Sequence, residues 1–578
     1  MTTGETREPM SETRREFLAA AGAVAAGSVL VGPGVLSALA PGRDRRSAPL
    51  SGRSPAGATL RRGLVVDGTG RPPFQADVRV EGDRVTAVQP TLPGRADLEE
   101  VDLDGLALAP GFVDIHSHTD LGLLRDPRAE SKIRQGVTTE VAGQDGSSVG
   151  PWTDEERLRR AEDLGVDIDF RDLAGFFARL ERDGMAPNVA SMVGAGTIRE
   201  SVLGLEDRPP TDAELARITA HLERALAAGA CGLSSGLEYL PGGFAATDEL
   251  IALASALVGT GLPYASHMRN EDDALFAALE EALAVGARAG VPVHVSHLKA
   301  LGARNWWKSP VALDMIDRAR DVGADVTFDV YPYTAYGTSL GATLFPLWAR
   351  EGGTDALIAR LASDDGTRLE AAAREKVAKV GDWDAFQVTS TGTEAFAFAV
   401  GRRLGDLAAE RGMDPWALVR SLIVEDRNRA DVAVDAMAEE GVEAALAHPA
   451  GFVCSDSGAR AVDGPLSGGA PHPRTYGAFP RLLGRYVRDR SVLPLEAAVA
   501  KVTSRPARRL RLPDRGAIAP GMFADLVAFD REMVADRSTF EDPHRYPDGI
   551  PHVMVNGTWV LRDGARTPDT PGRVLRPN

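Results

Sequence analysis

The chain has 578 residues, 44% of them apolar and 25% charged, and its 65 Lys and Arg stand against 82 Asp and Glu for a net charge of −17. That length allows three or four units of roughly 150 residues, or one large barrel with additions, and the composition excludes a disordered chain or a fibrous rod. The negative balance argues against nucleic acid and anionic membranes as partners.

The first pattern in chain order is Ser11-Glu12-Thr13-Arg14-Arg15-Glu16-Phe17-Leu18, followed by an Ala/Gly/Val-rich run that ends at Ala38-Leu39-Ala40. This resembles a twin-arginine export signal over residues 1–40, with a run too Gly-rich for a stable spanning helix. It implies an extracytoplasmic or secreted protein that is not inserted in a membrane once the signal is removed. Residues 41–58, rich in Arg, Ser, Pro and Gly, read as a linker. Short strands broken by turns follow to Val101, and similar fragments recur at 516–529 and 553–560. Residues 59–110 and 513–578 are therefore expected to build one small β-sandwich domain from both ends of the chain.

Between them, residues 111–512 alternate apolar runs with amphipathic helices. The expected strands are Gly111–Ile115, Val137–Val141, Asn188–Val193, Cys231–Ser234, Pro263–Ser266, Val291–Ser296, Ala324–Phe328 and Gly451–Cys454. Helical stripes such as Leu215, Ile218, Leu222, Leu226 lie between them. Eight strands alternating with helices predict an α/β fold, a (β/α)₈ TIM-like barrel. The span between the seventh and eighth strands exceeds what one helix needs, so residues of about 335–395 read as a lid-like insertion. Cys231 and Cys454 lie inside apolar runs and are expected to be buried thiols, not a disulfide.

The chemistry-bearing residues fall at strand ends, where barrel active sites are built. His116 and His118 follow the first strand two residues apart, so both imidazoles can face one metal ion. His267 and His297 end the fifth and sixth strands, one βα repeat apart. Asp456 ends the eighth; there it can ligate a metal while acting as general base, or simply cap the next helix. His294, inside its strand, reads as structural, and His221 as a surface residue of a helix. No G-x-S-x-G elbow points to a serine nucleophile.

Gly111-Phe112-Val113-Asp114-Ile115-His116-Ser117-His118, the two later histidines and Asp456 resemble the amidohydrolase superfamily. Gly232 to Pro241, Ser296-His297-Leu298-Lys299, Tyr331-Pro332-Tyr333 and His472 to Arg481 are similar to the D-aminoacylases, over about residues 60–562. The resemblance implies a metal-dependent deacylase of N-acyl-D-amino acids, the D preference resting on the resemblance alone. Where that group places a Cys thiolate, this chain has Gly143-Gln144-Asp145-Gly146, so Asp145 is the expected anionic and bridging ligand or, alternatively, a plain turn residue. The implied metal set is His116, His118, Asp145, His267 and His297 holding one or two zinc or other divalent ions, with Glu238 as a rival carboxylate. Arg474 matches the carboxylate-binding position, Lys299 and Tyr331 match further substrate contacts, and Tyr239 and Arg269 are additional candidates. A dipeptide or cyclic amide is the alternative substrate on the same site, and a secreted binding protein without catalysis is the reading from another class.

Overall fold

The computed structural model describes residues 57–578; the signal-like segment and most of the linker lie outside the described residues. The first strand, Gly57–Val65, takes in the last two positions expected of the linker. The barrel strands are β1 (Phe112–Asp114), β2 (Val137–Ala142), β3 (Asn188–Ser191), β4 (Leu233–Gly236), β5 (Tyr264–His267), β6 (Val293–Val295), β7 (Val326–Val330) and β8 (Gly451–Val453). All pairings among them are parallel. β3 pairs with β2, and the chain then switches partner at Met192, so that Val193–Gly194 pairs with β4. The seam between β8 and β1 closes beyond the named strands: Asp456 N donates to His116 O (3.0 Å) and His118 N to Ser457 O (3.2 Å).

These strands form where the sequence runs apolar, and the intervening helices bury one stripe each. Asp212–Ala227 starts at a reciprocal cap between Thr211 and Glu214 and buries Ile218 and Leu222. Leu275–Ala289 buries Leu275, Leu279 and Val285 and stops at Gly290 in the left-handed conformation. Small and medium side chains fill the closed end of the barrel, among them Val113, Val141, Ala190, Cys231 and Ala265, and both cysteines are buried and free. Residues 571–575 return to this end: Val189 N donates to Arg573 O (2.9 Å), Leu575 N donates to Val189 O (2.7 Å), and Leu575 joins the interior cluster. The last residues therefore pack on the barrel, beyond the small β domain in which they were expected. They occupy the edge that β3 exposes when it parts from β4.

That β domain is one continuous nine-stranded sheet, in which Leu526–Phe529 pairs with Ala107–Pro110 and joins the two sequence-distant halves. It wraps a core containing Val78, Val80, Leu526 and Met554. The excursion between β7 and β8 is longer than the expected 335–395. Its three-stranded antiparallel sheet consists of Ala335–Ser339, Phe386–Ser390 and, in the middle, Asp431–Asp435, whose buried Val432 and Val434 complete it. Among the described residues no helix is long and apolar enough to cross a membrane.

Candidate metal and substrate site

The strand ends converge on one carboxylate oxygen. Asp145 Oδ2 lies 3.4 Å from His116 Nε2, 3.6 Å from His118 Nε2, 3.7 Å from His267 Nδ1 and 3.4 Å from His297 Nε2. Asp456 Oδ1 is 3.5 Å from His116 Nε2 and 3.0 Å from His118 Nε2. Ligands at about 2.0–2.1 Å from a tetrahedral zinc ion are separated by roughly 3.3 Å, so these spacings are those of atoms sharing an ion. They form two sets, His116, His118, Asp145 and Asp456, then Asp145, His267 and His297, with Asp145 common to both.

Local backbone geometry brings the groups in. Asp145 (φ 51°), His297 (φ 34°) and Asp456 (φ 48°) all occupy the left-handed region, which side chains rarely adopt and which clusters at functional sites. The loop carrying Asp145 lies flat on its neighbours because Gly143, also at positive φ, sits where a Cβ would come within 2.1 Å of Met192 O.

The charge balance calls for a cation. Asp145, Glu271, Asp329 and Asp456 are all buried, and Lys299 and Arg474 are the facing cations, which leaves two negative charges against four imidazoles. Burial opposes an imidazolium at His116, but the carboxylates of Asp145, Asp329 and Asp456 outweigh it and raise its pKa well above the usual histidine range. His267 is likewise raised to about 10, by Glu271, Asp145 and Glu238 acting against burial. Burial would raise the Asp145 carboxyl, yet the neighbouring imidazoles hold it well below its ordinary value. Protons on these rings thus stand where a metal charge fits. Both ring nitrogens of His116, Nε2 of His267 and Oδ1 of Asp145 are buried without a hydrogen-bond partner.

Two carboxylates that the sequence reading passed over orient this set. Glu271 Oε1 faces His297 Nδ1 (3.0 Å) and accepts from Lys299 Nζ (2.7 Å). Asp329, on β7, accepts the backbone N–H of His297 (2.7 Å), faces His294 Nε2 (2.8 Å) and lies 3.4 Å from His116 Nδ1. Such partners fix ring orientation and tautomer. His294 is buried against Thr327 and Asp329, and His221 meets Arg224 on its own helix. Below the site, fully buried Lys132 donates to Asp114 Oδ2 (2.7 Å), Ser455 Oγ (2.8 Å) and Ser457 O (2.7 Å) and lies 3.3 Å from Glu140. It ties β1 and β2 to the chain after β8, beside the backbone bridge between Ser117 and Ser457.

A cavity of about 390 Å³ opens on this centre, lined by the insertion on one side and by Tyr239, Lys299, Tyr331 and Arg474 on the other. Arg474 Nη1 donates to Asp456 Oδ2 (2.7 Å) and Nη2 to Gly337 O (3.3 Å), and its guanidinium lies over the Tyr331 ring. His472, kept neutral by burial and by Arg474, holds that arginine's backbone N–H through Nδ1 (3.0 Å). The Tyr331 hydroxyl is buried and has no hydrogen-bond partner. The Tyr239 ring lies tilted beside His267, at 4.8 Å between centroids, and its hydroxyl meets Thr338 Oγ1 (3.1 Å). Lys299 donates to Glu271 and to His297 O, and its Nζ lies 2.7 Å from His297 Nδ1. Glu238 approaches His267 from the opposite ring edge, at Nε2 (3.5 Å), away from Asp145. Arg269 is turned to Glu281, Gly243 O and Ala245 O, so it anchors a loop to a helix and does not present its guanidinium to the centre.

A sequence model of the amidohydrolase family matches residues 99–561. The chain belongs to the amidohydrolase family. This amidohydrolase is 36% identical over 515 residues to an N-acyl-D-glutamate deacylase of Alcaligenes xylosoxydans xylosoxydans, an alignment covering 89% of this chain and 95% of the relative. It is also 36% identical to a D-aminoacylase of the same organism, over 89% and 96% of the two chains. The crystal structure of N-acyl-D-glutamate deacylase from Bordetella bronchiseptica, complexed with zinc and a phosphonate inhibitor, matches the amidohydrolase with a TM-score of 0.76 at 33% identity, covering 90% of this chain and 100% of that one. The resemblance carried by the sequence motifs is thereby shown over nearly the whole barrel and β domain.

Proposed function

We propose that this amidohydrolase hydrolyses N-acyl-D-amino acids with zinc held by His116, His118, Asp145, His267 and His297, and that Asp456 is its general base. The observation that carries this reading is the single Asp145 oxygen within 3.7 Å of four imidazole nitrogens at the floor of a cavity that also holds Arg474. The relatives add to it, since they act on N-acyl-D-amino acids and one is a zinc complex with a mimic of its tetrahedral intermediate. Zinc bound there supplies Lewis acidity, which polarises a carbonyl and acidifies a water molecule.

The chain's own groups do the rest. Asp456 Oδ1 takes the proton of the attacking water as the new carbon–oxygen bond forms, and the same carboxyl passes it to the nitrogen as the carbon–nitrogen bond breaks. The products are a carboxylate and a free amino acid. Arg474 offers a planar fork for the α-carboxylate, the unpartnered Tyr331 hydroxyl a further donor, and Lys299 a nearby charge while it positions His297 through Glu271. Tyr239 forms the wall beside His267 against which the scissile amide rests. Glu271, Asp329 and His472 act through the residues they hold.

Replacing Asp456 with Asn is expected to abolish turnover of N-acetyl-D-amino acids while the zinc content stays near that of the parent; retained turnover refutes the role. Paired N-acetyl D- and L-substrates test the stereochemical part. The Arg14-Arg15 pair and the run ending at Ala40 support export by the twin-arginine route. A double variant carrying Arg14→Lys and Arg15→Lys should then stay in the cytoplasm.

A further inference from the structure

A second chamber, of about 90 Å³, reaches the same metal-ligand cluster from another side. It shares His118, Asp145 and Tyr239 with the main cavity, but none of Lys299, Tyr331 and Arg474 lines it. Its walls are mainly apolar, with Leu240, Leu357, the backbone of Gly146, Gly196 and Gly236, and Ala342 at the junction of the two spaces, and they include the polar side chains of Thr197, Glu200 and Asn428. The glycines are close-packed against neighbouring backbone: a Cβ on Gly236 would lie 2.0 Å from Asp145 O, and one on Gly196 2.8 Å from Gly146 O. The chamber is therefore a fixed mould, with no side chain of these positions available to retract. The guanidinium at its rim, that of Arg350, is engaged by Phe345 O (2.9 Å) and Glu238 O (2.7 Å).

An N-acyl amino acid has two arms on either side of the scissile carbonyl. The carboxylate-bearing arm is drawn to Arg474 and Lys299 of the larger cavity, which leaves the acyl arm facing the metal cluster from the side whose guanidinium, that of Arg350, is held by two backbone carbonyls. We propose that the smaller chamber is the acyl-group subsite of this enzyme, and that it selects unbranched chains with a tail of a few carbons beyond the carbonyl. This rests on the function proposed above and adds the acyl preference. Apolar cavities of about 150 Å³ accommodate a six-carbon ring, roughly 25 Å³ per carbon, so the chamber takes about three or four carbons.

The test is a series of N-acetyl, N-propanoyl, N-butanoyl, N-pentanoyl and N-octanoyl derivatives of one D-amino acid with zinc-loaded enzyme. Each methylene buried in a preformed, mainly apolar site gains about fourfold in kcat/KM, so kcat/KM is expected to climb from acetyl to butanoyl by about sixteenfold and to fall again at octanoyl. Ala342→Leu should bring the butanoyl-to-acetyl ratio back to about one, and Leu357→Ala should move the optimum to longer chains. Because each ratio is taken within one preparation, a smaller folded fraction does not alter it, and the series on the unaltered enzyme stands even if a variant fails to fold. Hydrolysis of every member with a flat or steadily falling dependence overturns the acyl subsite and leaves the deacylase reading intact. Hydrolysis of none overturns both.

Discussion

Removing the carboxylate of Asp145 is the sharpest perturbation of the metal centre. Its Oδ2 is the atom common to both ligand sets, 3.4–3.7 Å from four imidazole nitrogens. An Asp145→Ala variant leaves the set of His267 and His297 with two donors, fewer than the three protein ligands that catalytic zinc sites keep. It also removes one of the two uncompensated negative charges. Loss of an outer partner already costs about 10–100-fold in metal affinity, so loss of this ligand should weaken zinc binding at least 100-fold, about 2.7 kcal/mol. Zinc bound per chain, measured against a competing chelator at defined free zinc, reads this directly. Alanine at φ 51° carries a strain of about 1–2 kcal/mol, so Asp145→Asn, which tolerates that backbone, is the companion: it should keep the fold by circular dichroism and lie between parent and Ala variant. Zinc affinity of the Ala variant within threefold of the parent would refute Asp145 as a ligand.

Glu271→Gln removes the charge that orients His297 and balances Lys299, and is expected to weaken zinc binding about 10–100-fold while turnover at saturating zinc recovers to within a few-fold of the parent. Chelator competition and zinc-dependent kinetics check both halves. Lys132→Met leaves Asp114 and Glu140 buried without their cation, a change that costs about 3–5 kcal/mol; thermal unfolding of the zinc-free protein should occur at clearly lower temperature, and an unchanged midpoint would remove Lys132 from the barrel seam. Adding zinc to the metal-free parent should raise its unfolding temperature, by about 2.7 kcal/mol of stabilisation at a hundredfold excess over the dissociation constant, and the Asp145→Ala variant should show little of this gain.

How much of this was readable beforehand follows from where each signal lies. His116 and His118 announce themselves by spacing on a strand end, and His267 and His297 by the interval of one repeat, so the convergence of four rings was legible without coordinates. Asp329 and Glu271 were not. Asp329 sits inside Val326–Val330, where a single acid in an apolar run resembles any polar strand position, and its partners His297, His294 and His116 all belong to other strands. The expected seventh strand ended at Phe328, so the available clue was a carboxylate just past a strand end, where the ligands also lie. Lys132 was hidden in the same way, its counterions lying on two different strands. Arg269 was misplaced because its position beside His267 says nothing of Glu281 on the following helix. The third strand of the insertion, Asp431–Asp435, is too short and too rich in small residues to stand out from the helices on either side.

The pairing of Ala107–Pro110 with Leu526–Phe529 has a consequence for biogenesis. During synthesis the early half of that sheet waits, its hydrogen-bonding edge open, until more than four hundred further residues have been made. Any holding factor that shields nascent protein would find its longest task at that edge, and a strand-like peptide supplied in trans could compete there for the place that Leu526–Phe529 has yet to fill.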